Sequence, residues 1–318
     1  MKLIIQIPCL NEEKTLPLVL AEIPKKIDWI DVIETMIIDD GSTDKTIEVA
    51  KKLGVNHIVK HTGNKGLWVA FKSWQEKALE LWADILVNTD WDNQYPGTYI
   101  SLLVKPIIEW KAEIVIWDRQ TSKIEHFSPI KKLFQWLWSG LVRFLSDTKV
   151  ADTVSGFRAY SRESLLQLNV SSRFSYVLDT IVQAGAKWLK IESVKIKTHA
   201  PTRESRLFKS IWQHMRKSLI NLFRVYSMYN PIKIFSLFAF PFLVVWVAWI
   251  TRFLYFYYLN PVNTWKVQSL VLSGVFLMIA IQFLALWVIW DLISKNRRLA
   301  EDNLYFTKKK YFDKTNNL

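Results

Sequence analysis

Between residues 86 and 96 the chain reads Leu86, Val87, Asn88, Thr89, Asp90, Trp91, Asp92, Asn93, Gln94, Tyr95, Pro96. An apolar run stops at two carboxylates spaced by one residue, followed by a side-chain amide. Hard divalent cations such as Mg²⁺ and Mn²⁺ take oxygen ligands and leave coordination positions open for substrate phosphates. In an extended or turning segment, residues i, i+2 and i+4 point the same way. Asp90, Asp92 and Gln94 can therefore converge on one metal–diphosphate unit. Taken alone, a D-x-D is also an ordinary Asx-turn after a strand.

Two more acidic edges follow apolar runs. Asn11 and Glu12 come after Leu3 to Ile7; Asp39, Asp40, Gly41, Ser42, Thr43 and Asp44 come after Val32 to Ile38. Those carboxylates can accept hydrogen bonds from a base or ribose. Gly41 permits a tight turn, and Ser42 or Thr43 can cap the next helix. Asn64, Lys65 and Gly66 open another helical pattern, where a helix N-terminus with a lysine favours a phosphate. A plain turn with a solvated lysine fits the same letters.

These residues need a frame. Residues 1 to about 200 alternate short apolar runs with helical patterns, which specifies an α/β fold with a mostly parallel sheet. Strands are expected over Leu3–Ile7, Val32–Ile38, His57–Val59, Ile85–Asn88, Ile114–Trp117 and Leu189–Ile196. Helices are expected over Lys14–Ile23, Lys45–Leu53, Lys65–Trp82 and Tyr99–Trp110. In such sheets ligands bind at the carboxyl ends of the strands, so three polar edges at one end make a site. The five histidines, His57, His61, His126, His199 and His214, follow no ligand pattern and read as structural or solvated.

After residue 200 the character changes. Hydrophobic residues are 50% of the chain while charged residues are still 22%, which suggests a water-soluble part joined to a membrane part. Ser205–Asn230 is amphipathic and basic, the pattern of a helix lying on a membrane or packed on the soluble part. Phe127–Leu145 has the same two readings. Ile234–Tyr258 and Val267–Trp290 are long enough at ~1.5 Å per residue to cross a ~30 Å hydrocarbon core. Arg252 lies near the end of the first, where it can snorkel. The short link between them makes an antiparallel hairpin. Basic residues flank the pair on both sides (Arg203, Arg206, Arg216, Lys217, Arg224 and Lys233 before; Lys295, Arg297, Arg298 and Lys308 to Lys310 after). By the positive-inside rule both flanks are cytosolic, in keeping with an N-terminus that does not read as a signal peptide. The expected organisation is a cytosolic catalytic domain over 1–200, an amphipathic juxtamembrane segment over 201–231, two transmembrane helices over 232–293 and a basic cytosolic tail over 294–318. A net charge of +13 on such a chain points to an anionic bilayer surface rather than nucleic acid, for which no motif is visible. Cys9 is the only cysteine, which excludes an intrachain disulfide and a cysteine zinc site.

Pro8-Cys9-Leu10-Asn11-Glu12, Asp39-Asp40-Gly41-Ser42-Thr43-Asp44, Asn64-Lys65-Gly66, Asp90-Trp91-Asp92-Asn93-Gln94 and Ser155-Gly156-Phe157-Arg158, in that order and ahead of a membrane hairpin, resemble a family 2 glycosyltransferase of the A-type fold. The similar branch is that of dolichyl-phosphate mannose synthases and bacterial polyprenyl-phosphate glycosyltransferases. The resemblance implies that Pro8, Asn11, Glu12, Asp39, Asp40 and Lys65 hold the donor nucleotide. It implies that Asp90, Asp92 and Gln94 hold Mg²⁺ or Mn²⁺ on the diphosphate, and that Arg119 binds phosphate. It places the lipid phosphate against Lys131, Lys132, Arg203, Ser205 and Arg206. Trp91 inside the D-x-D and Trp68 where a glycine is common depart from the family's pattern. Asp179 stands where branches with hydroxyl acceptors keep a carboxylate base; here it orients a sugar hydroxyl or merely begins a helix turn.

The implied reaction moves one sugar from a nucleotide-sugar, UDP- or GDP-linked, to a polyprenyl phosphate with inversion. That acceptor is anionic near neutral pH and needs no general base; the site must neutralise two anions and align them. The alternatives are transfer to a hydroxyl of a lipid or polysaccharide, and a non-catalytic membrane scaffold. Donor base, sugar, polyprenol and homo-oligomerisation are left open by these residues.

Overall fold

The computed structural model describes residues 1–90, 95–119, 129–170, 176–195, 211–259 and 267–314. They group into two compact units, Met1–Val225 with Asp302–Leu318, and Tyr226–Glu301.

In the first unit, strands β1 (Lys2–Cys9), β2 (Val32–Asp39), β3 (His57–Lys60), β4 (Ile85–Asn88), β5 (Ile114–Asp118), β6 (Arg158–Ser161) and β7 (Ile191–Lys195) form one sheet ordered β3-β2-β1-β4-β6-β5-β7. All pairings are parallel except those of β6, which is antiparallel to β4 and β5. Helices α1 (Leu16–Glu22), α2 (Thr46–Lys52), α3 (Leu67–Glu80), α4 (Ile100–Ile108), α5 (Pro129–Ser146), α6 (Arg162–Gln167) and α7 (Tyr176–Ala186) connect the strands. β4 opens on an unbroken apolar run, and β1 holds one broken only by the buried Gln6, because helices cover both faces of the sheet. Their Leu3, Ile4, Ile5, Ile85, Leu86 and Val87 are all fully buried. β6 was not anticipated. It is four residues long, opens with an arginine and carries no apolar run. Its fully buried Arg158 is anchored locally: Nε donates to the Ser155 carbonyl (2.8 Å) and Nη1 to the Val177 carbonyl (2.9 Å) and Thr180 Oγ1 (2.7 Å), which leaves Nη2 without a hydrogen-bond partner among the described residues.

Aromatic rings stiffen both faces. Tyr95 stacks on Phe157 with centroids 5.3 Å apart and meets Trp117 edge-on at 4.4 Å. On the other side Phe71, Trp74, Tyr160 and Tyr176 interlock at 4.2–6.3 Å. Such pairs add ~0.5–1.5 kcal/mol each beyond burial. Cys9 is buried at the end of β1, and burial pushes its thiol far above the ordinary range, with the charges of Glu12 and Asp39 adding to it.

Helices α3, α4 and α7 end alike. Ala83 N–H donates to the Ala78 carbonyl, Lys111 N–H to Pro106 and Leu189 N–H to Ala184, with Trp82, Trp110 and Trp188 in the left-handed region at φ 59°, 56° and 58°. This is the Schellman closure, in which glycine normally takes the left-handed position. Trp110 and Trp188 are 84% and 88% exposed, so their rings return little packing. The left-handed turn costs a side-chain-bearing residue roughly 1–2 kcal/mol, partly offset by glycine's larger loss of chain entropy. Trp110→Gly is therefore expected to stabilise the protein by about 0.5–1 kcal/mol, read as a rise in the urea midpoint at unchanged slope.

Helix α8 (Ile211–Tyr229) buries Ser218, Asn221, Leu222 and Val225, and leaves Leu219, Ile220 and Phe223 exposed beside Arg216, Lys217 and Arg224. The expected single apolar stripe is thus divided between a packed face and an open one.

α9 (Pro231–Leu259), in the second unit, and α10 (Val267–Lys314), in that unit as far as Glu301, are long and apolar enough to cross a membrane. Phe235 meets Trp290 at 6.0 Å, Phe238 meets Phe283 at 5.9 Å and Phe242 meets Phe276 at 6.3 Å. One series rises in number while the other falls, so the hairpin is antiparallel as expected. Small residues (Ala239, Ser269, Ser273 and Ala280) are buried while Leu237, Phe240 and Met278 point outward, the arrangement of helices packed in lipid. The guanidinium of Arg252 lies 5.0 Å over the Trp249 ring. α10 does not stop with its apolar run. Pairs such as Asp291–Lys295 and Arg297–Glu301, each at 2.8 Å, carry the helix on to Lys314.

Candidate active site

β2, β1 and β4 are neighbours and parallel, with Cys9 opposite Asp39 and Gln6 opposite Asn88. The three polar edges therefore lie together at one end of the sheet. The first two are laced to each other. Asn11 takes a left-handed turn at φ 57°; its N–H donates to Ser42 Oγ (2.9 Å) and its Oδ1 accepts from Thr43 N–H (2.8 Å). Glu12, 2% exposed, donates its N–H to Thr46 Oγ1 (2.8 Å) and accepts from the Thr15 hydroxyl at Oε2 (2.7 Å). Burial works against ionising Asp44, but hydrogen bonds from Thr46 and from Glu13 N–H hold its carboxyl below the usual range. Asp39 is fully buried and accepts from Ser42 N–H at 3.2 and 3.3 Å.

Asp40 holds a different post. Its Oδ1 accepts from Lys65 N–H (2.9 Å) and faces His61 Nδ1 (2.8 Å), and its Oδ2 accepts from Gly66 N–H (3.0 Å). The anion at the start of α3 is thus the protein's own carboxylate. Lys65 lends that contact its backbone while its side chain stays exposed. His61, buried between Asp40 and Ser73 Oγ (2.9 Å), is structural, as the sequence suggests. Gly41 is at φ +90°, and a Cβ there would lie 2.7 Å from Gly63 Cα, so only glycine lets these loops touch. Trp68, half-buried, lies in the first turn of α3.

Asp90 follows β4 and is half-buried. Asn88 Nδ2 donates to the Gly156 carbonyl (2.6 Å) and meets Tyr176 Oη (3.0 Å). A Cβ on Gly156 would stand 3.3 Å from Asp90 Oδ2 and 3.4 Å from Tyr176 Oη. Burial pushes the Tyr176 phenol well up and the Asp90 charge pushes it further, so it stays a neutral hydroxyl beside the carboxylate. Arg119 follows β5 and forms a two-pronged pair with Asp152: Nη2 lies 3.0 Å from Oδ1, and Nε bonds Oδ2. Burial opposes the guanidinium charge, but Asp152, then Tyr95 and Asp90, more than restore it. Asp152, 2% exposed, is held below the usual carboxylate range despite its burial because Arg119 sits on it. A fixed cation after β5 and a carboxylate after β4 thus lie at the same end of the sheet.

Of the metal set only Asp90 lies among the described residues; Asp92, Gln94 and Trp91 lie outside them. Among the described residues no three His, Cys, Asp or Glu side chains form a metal cluster. Asp90 fits one position of an oxygen-donor set: it is half-buried, and the missing side chain at Gly156 leaves its Oδ2 room. Arg203, Ser205 and Arg206, and the side chains of Lys131 and Lys132, also lie outside the described residues. Asp179 is fully buried in the first turn of α7 and accepts from Gln183 Nε2 (2.8 Å). Pro8 is the last residue but one of β1, just before Cys9. Asp152 and Tyr176 were missed in sequence: each lies in a stretch with no local pattern, and only the fold brings them to Arg119 and Asp90. Gly156→Ala presses on Asp90 and is expected to cut turnover about tenfold with little change in fold, measured as kcat beside a thermal melt.

Solved structures share this architecture. The glucosyl-3-phosphoglycerate synthase of Mycobacterium tuberculosis, crystallised with Mn²⁺, UDP-glucose and phosphoglyceric acid, superposes with a TM-score of 0.56 at 22% identity, covering 71% of this chain and 80% of that one. The UDP-N-acetylglucosamine–dolichyl-phosphate N-acetylglucosaminyltransferase of Methanococcus voltae is 30% identical over 213 residues, 60% of this chain and 83% of its own length. The dolichyl-phosphate hexose transferase of Haloferax volcanii is 26% identical over 197 residues, 62% of this chain and 82% of its own. The model of the family described as "Glycosyl transferase family 2" matches residues 4–168. That span runs from β1 through every acidic edge to α6, so the chain belongs to glycosyl transferase family 2 and is a glycosyltransferase of the A-type fold.

Proposed function

We propose that the protein transfers one sugar from a nucleotide-sugar to a polyprenyl phosphate at the cytosolic face of a membrane, with inversion at the anomeric carbon. The observation that carries this reading is the gathering, at one end of the sheet, of the acidic edges after β1, β2 and β4 with the Asp152-locked Arg119 after β5, in a chain that also holds two helices of membrane length. The substrates are both anions, and a phosphate nucleophile needs orientation rather than deprotonation. The relatives named for dolichyl phosphate support the same acceptor class.

In this reading the loops after β1 and β2 hold the nucleoside, with Pro8, Asn11, Glu12 and Asp39 as the wall. Asp40 acts through α3, fixing the loop of Lys65. Asp90, with Asp92 and Gln94, holds Mg²⁺ or Mn²⁺, which when bound withdraws charge from the leaving diphosphate. Arg119 neutralises and orients phosphate. Tyr176 supplies a neutral hydroxyl beside Asp90. Lys131, Lys132, Arg203, Ser205 and Arg206 receive the lipid phosphate. Transfer to a hydroxyl acceptor would need a general base; Asp179, fully buried and bonded to Gln183, is a poor one. The open apolar and basic face of α8 suits an anionic bilayer surface.

The test is a radiolabel panel: UDP- and GDP-sugars against undecaprenyl and dolichyl phosphate, with and without EDTA. The expected result is an organic-phase product that EDTA abolishes and alkaline phosphatase leaves intact. Label that enters only hydroxyl-bearing lipids overturns the acceptor assignment.

A further inference from the structure

The last turns of α10, from Asp302, belong to the first unit. They show an inward face at helical spacing. Tyr305 and Lys308 are half-buried and Phe312 is 6% exposed, whereas Lys309 and Lys310 point out. One of three consecutive lysines is thus turned in. Its Nζ donates to Asn169 Oδ1 at 2.8 Å and reaches the Leu168 carbonyl at 3.4 Å.

Residues 167–169 are a hub. The Leu168 carbonyl also accepts from Gln75 Nε2 (2.8 Å), and the Gln167 carbonyl accepts from Lys187 Nζ (2.6 Å). Asn169 N–H donates to Gln183 Oε1 (2.9 Å), and Gln183 Nε2 donates back to the Asn169 carbonyl (2.7 Å) and on to Asp179 Oδ1 (2.8 Å). Gln183 is fully buried in α7. Seven residues earlier, on the same face of that helix, Tyr176 bonds Asn88 and packs against Gly156 beside Asp90. A line of direct hydrogen bonds therefore runs from the ammonium of Lys308 through Asn169 into α7, and α7 places Tyr176.

We propose that Lys308 is a positioning residue: the C-terminal turns of α10 set α7, and through it Tyr176, against Asp90. The idea rests on the glycosyltransfer reading above for its kinetic consequence, not for the coupling itself. Lys308 touches neither substrate nor Asp90; it acts on the helix that does.

The experiment uses the full-length protein in detergent or nanodiscs, with Lys308→Met, which keeps the stem and removes the charge, and Lys308→Arg. Lys308→Met is expected to lower kcat about tenfold with donor KM within about twofold, and Lys308→Arg to restore most of it. Hydrogen exchange is expected to rise in α7 and to stay unchanged in β1, β2 and β4. Unchanged exchange in α7 overturns the proposal whatever the substrate proves to be. So does a rise across the whole first unit, which marks a general folding role, or an undiminished kcat. If the wild type transfers no sugar to any polyprenyl phosphate, the functional reading falls and the exchange measurement alone decides the coupling.

Discussion

Asp90→Asn lowers sugar transfer by about three orders of magnitude while the protein stays folded. The substitution is isosteric, so the packing of Gly156 and Tyr176 around the side chain is kept. What disappears is the charge. An oxygen ligand of a divalent ion weakens, and Arg119 loses one of the anions that help to fix its own charge. Loss of about 4 kcal/mol of transition-state stabilisation is typical when a group aimed at developing charge is removed, and each ~1.4 kcal/mol is a factor of ten. The check is initial-rate transfer over a Mn²⁺ titration, with a thermal melt alongside. Undiminished turnover at saturating Mn²⁺ would remove Asp90 from the metal assignment, and a collapsed melt would make the variant uninformative about chemistry.

Asp152→Ala has the largest expected effect on stability. It leaves the guanidinium of Arg119, 19% exposed, without its paired carboxylate and frees the Val154 N–H that Asp152 also holds. Breaking one side of a buried pair costs about 3–5 kcal/mol, whereas replacing both partners by apolar groups is often neutral. The double variant Arg119→Met with Asp152→Leu is therefore expected to recover most of the stability and none of the activity. That contrast separates support of the fold from phosphate binding. The pH dependence has a definite sign. The carboxyl of Asp152 lies below its unfolded value, so its contribution is complete above about pH 4 and fades as pH falls through the lower folded value. The stability gap between wild type and Asp152→Ala should be constant from pH 5 to 8 and close in acid, by urea titrations across that range.

Much of this was legible in the residues. Strands β1, β2 and β4 announce themselves because their buried stretches demand largely apolar letters, and the polar letters after each run marked the site edge. The family resemblance supplied the roles, and the match over residues 4–168 supports its identification. Other features were hidden for physical reasons. The partner of Arg119 lies 33 residues away, across a fold that no local period reveals. Asp40 reads as an acceptor for a base or ribose; its bonds to His61 and to the N–H groups opening α3 depend on loops that no local pattern brings together. Arg158, quoted above only as part of a motif, is a buried staple between β6 and α7. The inward turn of Lys308, one lysine in a row of three, is set by helical phase and is visible only once α10 is known to continue to Lys314.

The lone thiol, sealed at the end of β1 and held protonated by its surroundings, makes the native chain a ready host for spectroscopic probes. A cysteine placed on an outward position of α7 or α8 would be the sole group to take a maleimide dye or nitroxide. Distances between chosen pairs could then be followed during turnover without first stripping the wild-type sequence.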